Sequence, residues 1–457
     1  MLSPDKIKHC IPCGAHSKLY SYNNGSWNGR SLHSHNDDKG ETMSFLADLL
    51  NTVFERRYRG ASEPDHQGRS IIELCSDLLS SSGEVSGMVL ARHILDSYRA
   101  MDIEEKRAFF GYLTDFLGIV PDKVNSALAD YTAEPSKANY QRFMAAAEPR
   151  RQELARRLNQ VPGATKQLVE MRKDLLQLTR ENPELEVVDL DLRHLFASWF
   201  NRGFLVLRPI NWESPADILD KIIAYEAVHA IHSWEDLRGR LQPADRRCFG
   251  FFHPAMPDEP LIFVEVALTQ GIPGSVQGLL ADERENIAAD DADTAVFYSI
   301  SNCQAGLAGI SFGNSLIKQV VADLSRELPN LKTFVTLSPI PGLNRWLTEA
   351  GKQPDPSDKE QLRKTAAHYL LNAKRANGAP YDPVARFHLG NGALVHAVHA
   401  GADLSENGLA QSSGAMVNYL YDLPLISQNH EQFATAQAVV ASPEVTALSA
   451  AAEPQDT

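Results

Sequence analysis

The sequence predicts an α+β chain, all-helical in its N-terminal part and α/β after it. Three observations carry this. Apolar residues recur at three- and four-residue intervals up to about residue 200, with no strand-like alternation among them. Beyond that point, short runs rich in aromatic and β-branched residues alternate with helical stretches. The 457 residues amount to about three typical single-domain lengths, enough for more than one domain and for a core that needs no disulfide staples.

Residues 1–40 are polar and rich in Gly, Asn, Ser and His, and are expected to be flexible. Helical spacing begins at Phe45, Leu46, Leu49, Leu50 and Val53. It continues through Met88–Met101, Glu105–Leu117, Ala138–Leu158, Ala164–Leu178 and Leu190–Phe200, with Pro149 expected to break the long fourth segment. These define a helical domain over 41–187, a bundle of antiparallel neighbours. The polar, proline-containing joint Glu181-Asn-Pro-Glu-Leu-Glu-Val ends it. Strands are expected at Phe204–Leu207, Cys248–Phe252, Leu261–Leu268, Ala295–Ile300 and Thr333–Leu337, and helices at Ser315–Leu328 and Asp358–Asn372. These fall in a second domain over 188–430, and the Ala-rich stretch 431–457 reads as a flexible tail.

Composition narrows the function. The net charge of −14, from 44 basic and 58 acidic residues, argues against a nucleic-acid binder, which needs a basic footprint. An anionic ligand would have to find a local positive site. No apolar stretch approaches the ~20 residues that span a bilayer. Five cysteines, an odd and low count, fit a reducing compartment, and the N-terminus has no signal-peptide core, so the cytoplasm is expected. Cys10-Ile-Pro-Cys13 has no second CxxC to complete a metal or redox site. His33-Ser-His35-Asn-Asp37-Asp38 resembles a metal-hydrolase ligand set but lacks a preceding strand. No metal and no cofactor are expected.

Three stretches hold residues that could do chemistry. In Ala295–Leu328 an apolar strand, a loop with Gly306, Gly309 and Gly313, and a helix follow one another. That order suits phosphate binding, because bare N–H groups and the helix dipole favour an anion and Lys318 adds positive charge. A plain strand-to-helix turn reads equally well. In Thr333–Trp346, Ser338 stands at a strand's carboxyl end, where ligands of α/β sheets collect, although Ser-Pro also makes an ordinary turn. In Asp382–Ala393, His388 lies between Phe387 and Leu389 ahead of Gly390-Asn-Gly. It suits either a packed histidine or, if the fold joins it to Ser338, a proton-relay pair.

Long ordered motifs add to this. Tyr225–Trp234, Asp245–Phe249, Phe252-His-Pro254, Glu259–Thr269, Phe297–Ser301, Leu337–Gly342, Phe387–Ala393 and Asn418–Tyr421 together resemble the malonyl-CoA decarboxylase family over residues 190–425. The resemblance implies a catalytic domain of acetyltransferase (GNAT)-like fold that converts malonyl-CoA to acetyl-CoA and CO₂. It implies Ser338 and His388 as the catalytic pair and Ala308, Gly309, Ile310, Ser311, Phe312, Gly313 and Asn314 as the CoA-contacting loop. Ser299 and Tyr421 match further active-site positions, and Asn391 and Tyr421 are candidates to orient His388. Some family members carry a glutamate at the position of Ser311, so a charge role there is not open to this chain. Losing CO₂ leaves an enolate whose electron sink is the thioester carbonyl, so donors and a proton source suffice. A CoA-dependent acyltransferase or a non-catalytic acyl-CoA sensor are the alternatives. Expected partners are malonyl-CoA and acetyl-CoA, with a homo-oligomer of two or four subunits.

Overall fold

A computed structural model describes residues 68–281, 283–310, 316–352 and 357–452. Among the described residues eight α-helices come first: α1 (Ile71–Ser80), α2 (Glu84–Ala100), α3 (Ile103–Asp115), α4 (Pro121–Ala133), α5 (Lys137–Ala147), α6 (Arg150–Leu158), α7 (Ala164–Leu178) and α8 (Glu186–Trp199). Their ends follow local chemistry. Ser70 and Asp102 cap α1 and α3 in reciprocal boxes with Glu73 and Glu105. Pro149 divides α5 from α6, as the spacing predicts. Leu90, Ile94, Phe110, Leu168, Leu175 and Phe196 are all buried where these helices meet. Pro121 starts α4, which buries none of its side chains.

The chain then enters a mixed sheet: β1 (Val206–Ile210), β2 (Arg246–His253), β3 (Met256–Thr269), β4 (Thr294–Asn302), β5 (Thr333–Thr336), β6 (Ser338–Pro339), β7 (Leu394–His399) and β8 (Met416–Leu420). Strands β1 to β4 form an antiparallel meander. The sheet order is β1-β2-β3-β4-β5-β8-β6, with β7 beside β8. The pair β4–β5 is parallel and joined across the helix α11 (Leu316–Glu327). β5 meets β8 at one register position, Val335 opposite Leu420. Further helices flank the sheet: α9 (Ala216–Tyr225) and α10 (Trp234–Leu241) between β1 and β2, then α12 (Leu343–Glu349), α13 (Lys359–Asn372), α14 (Pro383–Gly390), α15 (Glu406–Ser412), α16 (Ile426–Ala436) and α17 (Pro443–Ala450). The α+β class and the order of helical part before sheet are those the sequence predicts.

Arg172 of α7, 1% exposed, ties the helical part to the sheet region. Its guanidinium donates to the Gly306 and Ala308 carbonyls at 2.7 and 3.0 Å and pairs with Asp189 at 2.7 Å. Gly306 fits there because a Cβ would stand 1.9 Å from the Val169 carbonyl oxygen.

The tail is where structure and expectation part. Residues 431–452, read as flexible, instead complete α16 and form α17. Ser442 caps α17 with Pro443 in its first turn, and Val445 is wholly buried. The Val395 N–H donates to the Val440 carbonyl at 2.9 Å and extends the sheet edge. Alanine content hid this: the anchors, among them Phe433, Val445, the Ser442 cap, the Asn372–Ser449 hydrogen bond and backbone pairing, are scattered and leave little pattern in composition. The expected flexible segment 1–40 and the first helical run at 45–53 lie outside the described residues.

Candidate active site

β5 is buried after its first residue, with Phe334, Val335 and Thr336 at most 1% exposed. It runs beside β4 until the Leu337 N–H donates to the Phe297 carbonyl at 3.0 Å. Ser338 then pairs with Val417 of β8 and is 5% exposed.

His388 reaches the same place from α14. Asp382 begins that helix, its carboxylate accepting from the N–H groups of Val384 and Ala385 at 2.9 Å, and Pro383 takes the first helical position. The other oxygen of Asp382 accepts from the Gly342 N–H at 3.3 Å and the Tyr369 hydroxyl at 3.2 Å. One buried carboxylate therefore holds the helix carrying His388 and the turn after Ser338 together. Its pKa is raised by desolvation against those four donors. The helix stops at Gly392, whose φ is +88° and whose Cβ would stand 2.2 Å from the Ile426 carbonyl oxygen.

The structure brings Ser338 and His388 together. Ser338 Oγ lies 3.2 Å from His388 Nε2, and the Tyr421 hydroxyl lies 2.8 Å from Nδ1. The Tyr419 ring stacks on the imidazole with centroids 4.7 Å apart. Burial alone pushes the His388 pKa down to about 3, since no charged group faces the ring. The imidazole is neutral at pH 7. Burial also pushes the Tyr421 phenol well up, so it is a donor and not an anion.

The other residues singled out from sequence fall differently. Asn391 does not orient His388; its side chain donates to the Phe387 carbonyl at 2.7 Å and closes α14. Ser299 donates to Glu226 at 2.7 Å, and the other Glu226 oxygen accepts from the Val228 and His229 N–H groups at 2.7 and 2.8 Å. Ser299 thus fixes the segment that places Val228 on the wall of the site. Of the loop, Ala308, Gly309 and Ile310 are described, and Ser311, Phe312, Gly313 and Asn314 lie outside the described residues. Gly309 has φ +74°, and the exposed Arg193 guanidinium lies 3.8–3.9 Å from where its Cβ would be. Sequence reasoning missed Thr336, which accepts from Ser338 Oγ at 2.8 Å, and Tyr419. The signal was period two along a strand: Thr336 stands two before Ser338 and Tyr419 two before Tyr421.

Ser338 and His388 open on a cavity of about 240 Å³ walled by Val228, Ile262, Val264, Phe297, Ile300 and Phe387, with Asn302 and Tyr298 also lining it. None of the described lining residues is Asp, Glu, Lys or Arg. No group of three or more potential metal ligands occurs among the described residues, which exclude Cys10, Cys13, His33 and His35. No helix among them is long and apolar enough to cross a membrane. An uncharged, hydrogen-bonded Ser–His–Tyr line facing an apolar cavity can donate hydrogen bonds to a bound substrate.

Comparison with known proteins bears on this arrangement. The family model for the malonyl-CoA decarboxylase C-terminal domain matches residues 203–358 and 356–456, and that for the N-terminal domain matches 118–200. The crystal structure of malonyl-CoA decarboxylase from Rhodopseudomonas palustris is 50% identical, with a TM-score of 0.78 over 82% of this chain and 98% of that one. The enzyme from Agrobacterium vitis is 48% identical, with a TM-score of 0.77 over 83% and 99%. The mitochondrial malonyl-CoA decarboxylase of Anser anser anser is 35% identical over 348 residues, which are 65% of this chain and 69% of that protein.

Proposed function

The chain belongs to the malonyl-CoA decarboxylase family, and we propose that it converts malonyl-CoA to acetyl-CoA and CO₂ with Ser338 and His388 as its catalytic pair. The observation that carries the assignment of the pair is their 3.2 Å contact on the wall of an uncharged cavity.

The reaction breaks the bond between the α-carbon and the carboxylate. Its electron pair moves into the thioester carbonyl, CO₂ leaves, and the enolate takes a proton at carbon. An apolar cavity disfavours the carboxylate and does not disfavour neutral CO₂, so entry of the substrate raises its energy toward the transition state. The Ser338 hydroxyl donates toward the developing enolate, backed by His388 Nε2–H. One proton is consumed overall. His388 takes it up as the malonyl carboxylate enters, because an anion close to a buried imidazole favours its charged form. It returns the proton through Ser338 to the carbon. The thioester is its own electron sink, so no metal or redox cofactor enters the reading.

The CoA phosphates lie against the loop that begins at Ala308. Supporting this are the left-handed turn at Gly309 and the positive charge of Arg193 beside it, on a chain of net charge −14. A reducing, cytoplasmic setting is part of the reading and is supported by Cys75, Cys248 and Cys303, all buried and unpaired.

The test is incubation of the purified protein with malonyl-CoA and no acceptor, with acetyl-CoA read by mass. Ser338→Ala and His388→Ala should each lower kcat by ~10²-fold or more. The double variant should be little worse than either single one, because the pair acts as a unit. Near-full activity in a folded single variant would reduce the pair to a turn serine and a packed histidine. A requirement for an added acceptor would make the protein an acyltransferase instead.

A further inference from the structure

The hydrogen bonds around Ser338 extend to a residue outside the pair. Thr336 is wholly buried. Its Oγ1 accepts the Tyr419 N–H at 3.1 Å and the Ser338 hydroxyl at 2.8 Å, and its carbonyl accepts from Asn418 Nδ2 at 2.8 Å. β8 thus holds Thr336 at both its hydroxyl and its backbone. Ser338 has one proton to give, and the geometry gives it to Thr336. The contact between Ser338 Oγ and His388 Nε2 must then be a donation from Nε2–H to Oγ. A neutral imidazole protonated at Nε2 carries a lone pair at Nδ1, and the Tyr421 hydroxyl at 2.8 Å donates to it. Were the direction reversed, the proton of Tyr421, 2% exposed, would lose this acceptor, and no other bonds its hydroxyl among the described residues. The run Tyr421 to His388 to Ser338 to Thr336 therefore has one polarity, set by the acceptor at its Thr336 end.

The geometry points to Thr336 as a positioning residue that acts through Ser338. It holds the serine proton away from Nε2, so that His388 rests as an Nε2–H donor, poised for the direction of transfer the reaction needs. This rests on the reading that Ser338 and His388 carry the chemistry. Without the threonine hydroxyl, the Ser338 proton turns to Nε2, the imidazole proton moves to Nδ1, and the run reverses.

Thr336→Val keeps the shape and removes the hydroxyl, whereas Thr336→Ser keeps it. In steady-state assays with malonyl-CoA, Thr336→Val should lower kcat about 10-fold, the scale of one neutral hydrogen bond, with KM changed less than about two-fold. Thr336→Ser should restore kcat. In a Ser338→Ala background, Thr336→Val should lower kcat no further. Nitrogen-15 NMR of histidine-labelled enzyme should show His388 protonated at Nε2 in the wild type and in Thr336→Ser, and at Nδ1 in Thr336→Val. Should the valine variant not fold, Thr336→Cys, with a weak thiol acceptor of similar size, is read in the same two ways. Wild-type kcat in a folded valine or cysteine variant, a loss that persists on Ser338→Ala, or an unchanged tautomer overturns the inference. Full activity of Ser338→Ala alone, with the tautomer still shifting, overturns the catalytic reading and leaves the polarity of the run standing.

Discussion

His388 ties the stability of the protein to pH in a way that can be worked out in advance. Its imidazole is buried, faces no charge and has its pKa pushed down to about 3, whereas an unfolded histidine titrates near 6.5. The folded state refuses a proton that the unfolded state accepts, so stability falls as the pH drops below ~6.5, and the loss ends near the folded pKa. One such group costs under about 1 kcal/mol at pH 6 and about 3 kcal/mol at pH 4. His388→Gln keeps a neutral polar side chain and removes the titration. It will be less stable than wild type at pH 7, because the contacts to Tyr421 and Ser338 are weakened. The gap should close by about 2 kcal/mol or more between pH 6 and pH 4. Urea unfolding at several pH values, followed by far-UV circular dichroism, reads this directly. The comparison is needed because other groups titrate in the same window. His229, lowered to about 4 by desolvation, acts in the same direction. Glu265, raised to about 7 by burial, acts oppositely, its contribution fading as pH rises. Both cancel in the difference between wild type and variant. A gap that stays constant from pH 6 to pH 4 would refute the claim that the folded imidazole is held neutral.

Tyr421→Phe removes the donor to Nδ1 and should lower kcat about 10-fold with KM nearly unchanged, read by the same acetyl-CoA assay. Arg193→Ala should raise KM for malonyl-CoA several-fold and leave kcat alone; Gly309→Asp, which sets a carboxylate against that guanidinium on a left-handed turn, should raise it further. Unchanged KM in both would move the phosphates elsewhere. Dialysis against a chelator should leave activity intact, and loss that added zinc restores would count against the metal-free reading.

How much of this could be read from residues alone depended on the length scale of each feature. Periodicity spans ten residues or more, so α7 appears at Ala164–Leu178 as its apolar spacing predicts, and the glycine loop falls between β4 and α11 as expected. Short elements escaped. β6 is two residues long, and β8 is a five-residue run interrupted by Asn418, a residue that disfavours strands. β8 nevertheless supplies Tyr419 to the imidazole face and precedes Tyr421, so missing it meant missing what surrounds His388. The joining of Ser338 to His388 across 50 residues is set by Asp382, an ordinary helix cap in sequence whose second oxygen reaches Gly342.

Ser299 and Tyr421 show why a shared motif and a shared role are different inferences. Both lie in runs that the resemblance picks out, and both are buried polar residues on strands or at strand ends. Tyr421 touches the imidazole. Ser299 instead anchors Glu226, and through the N–H groups of Val228 and His229 that carboxylate fixes one wall of the cavity. A buried serine donating to a carboxylate at 2.7 Å has its proton committed to that charge-assisted bond and not to the thioester. The division of labour follows from partners. A hydroxyl whose proton is held by a carboxylate shapes the site. Ser338, whose proton rests on a neutral threonine and can be withdrawn cheaply, is free to turn toward a substrate.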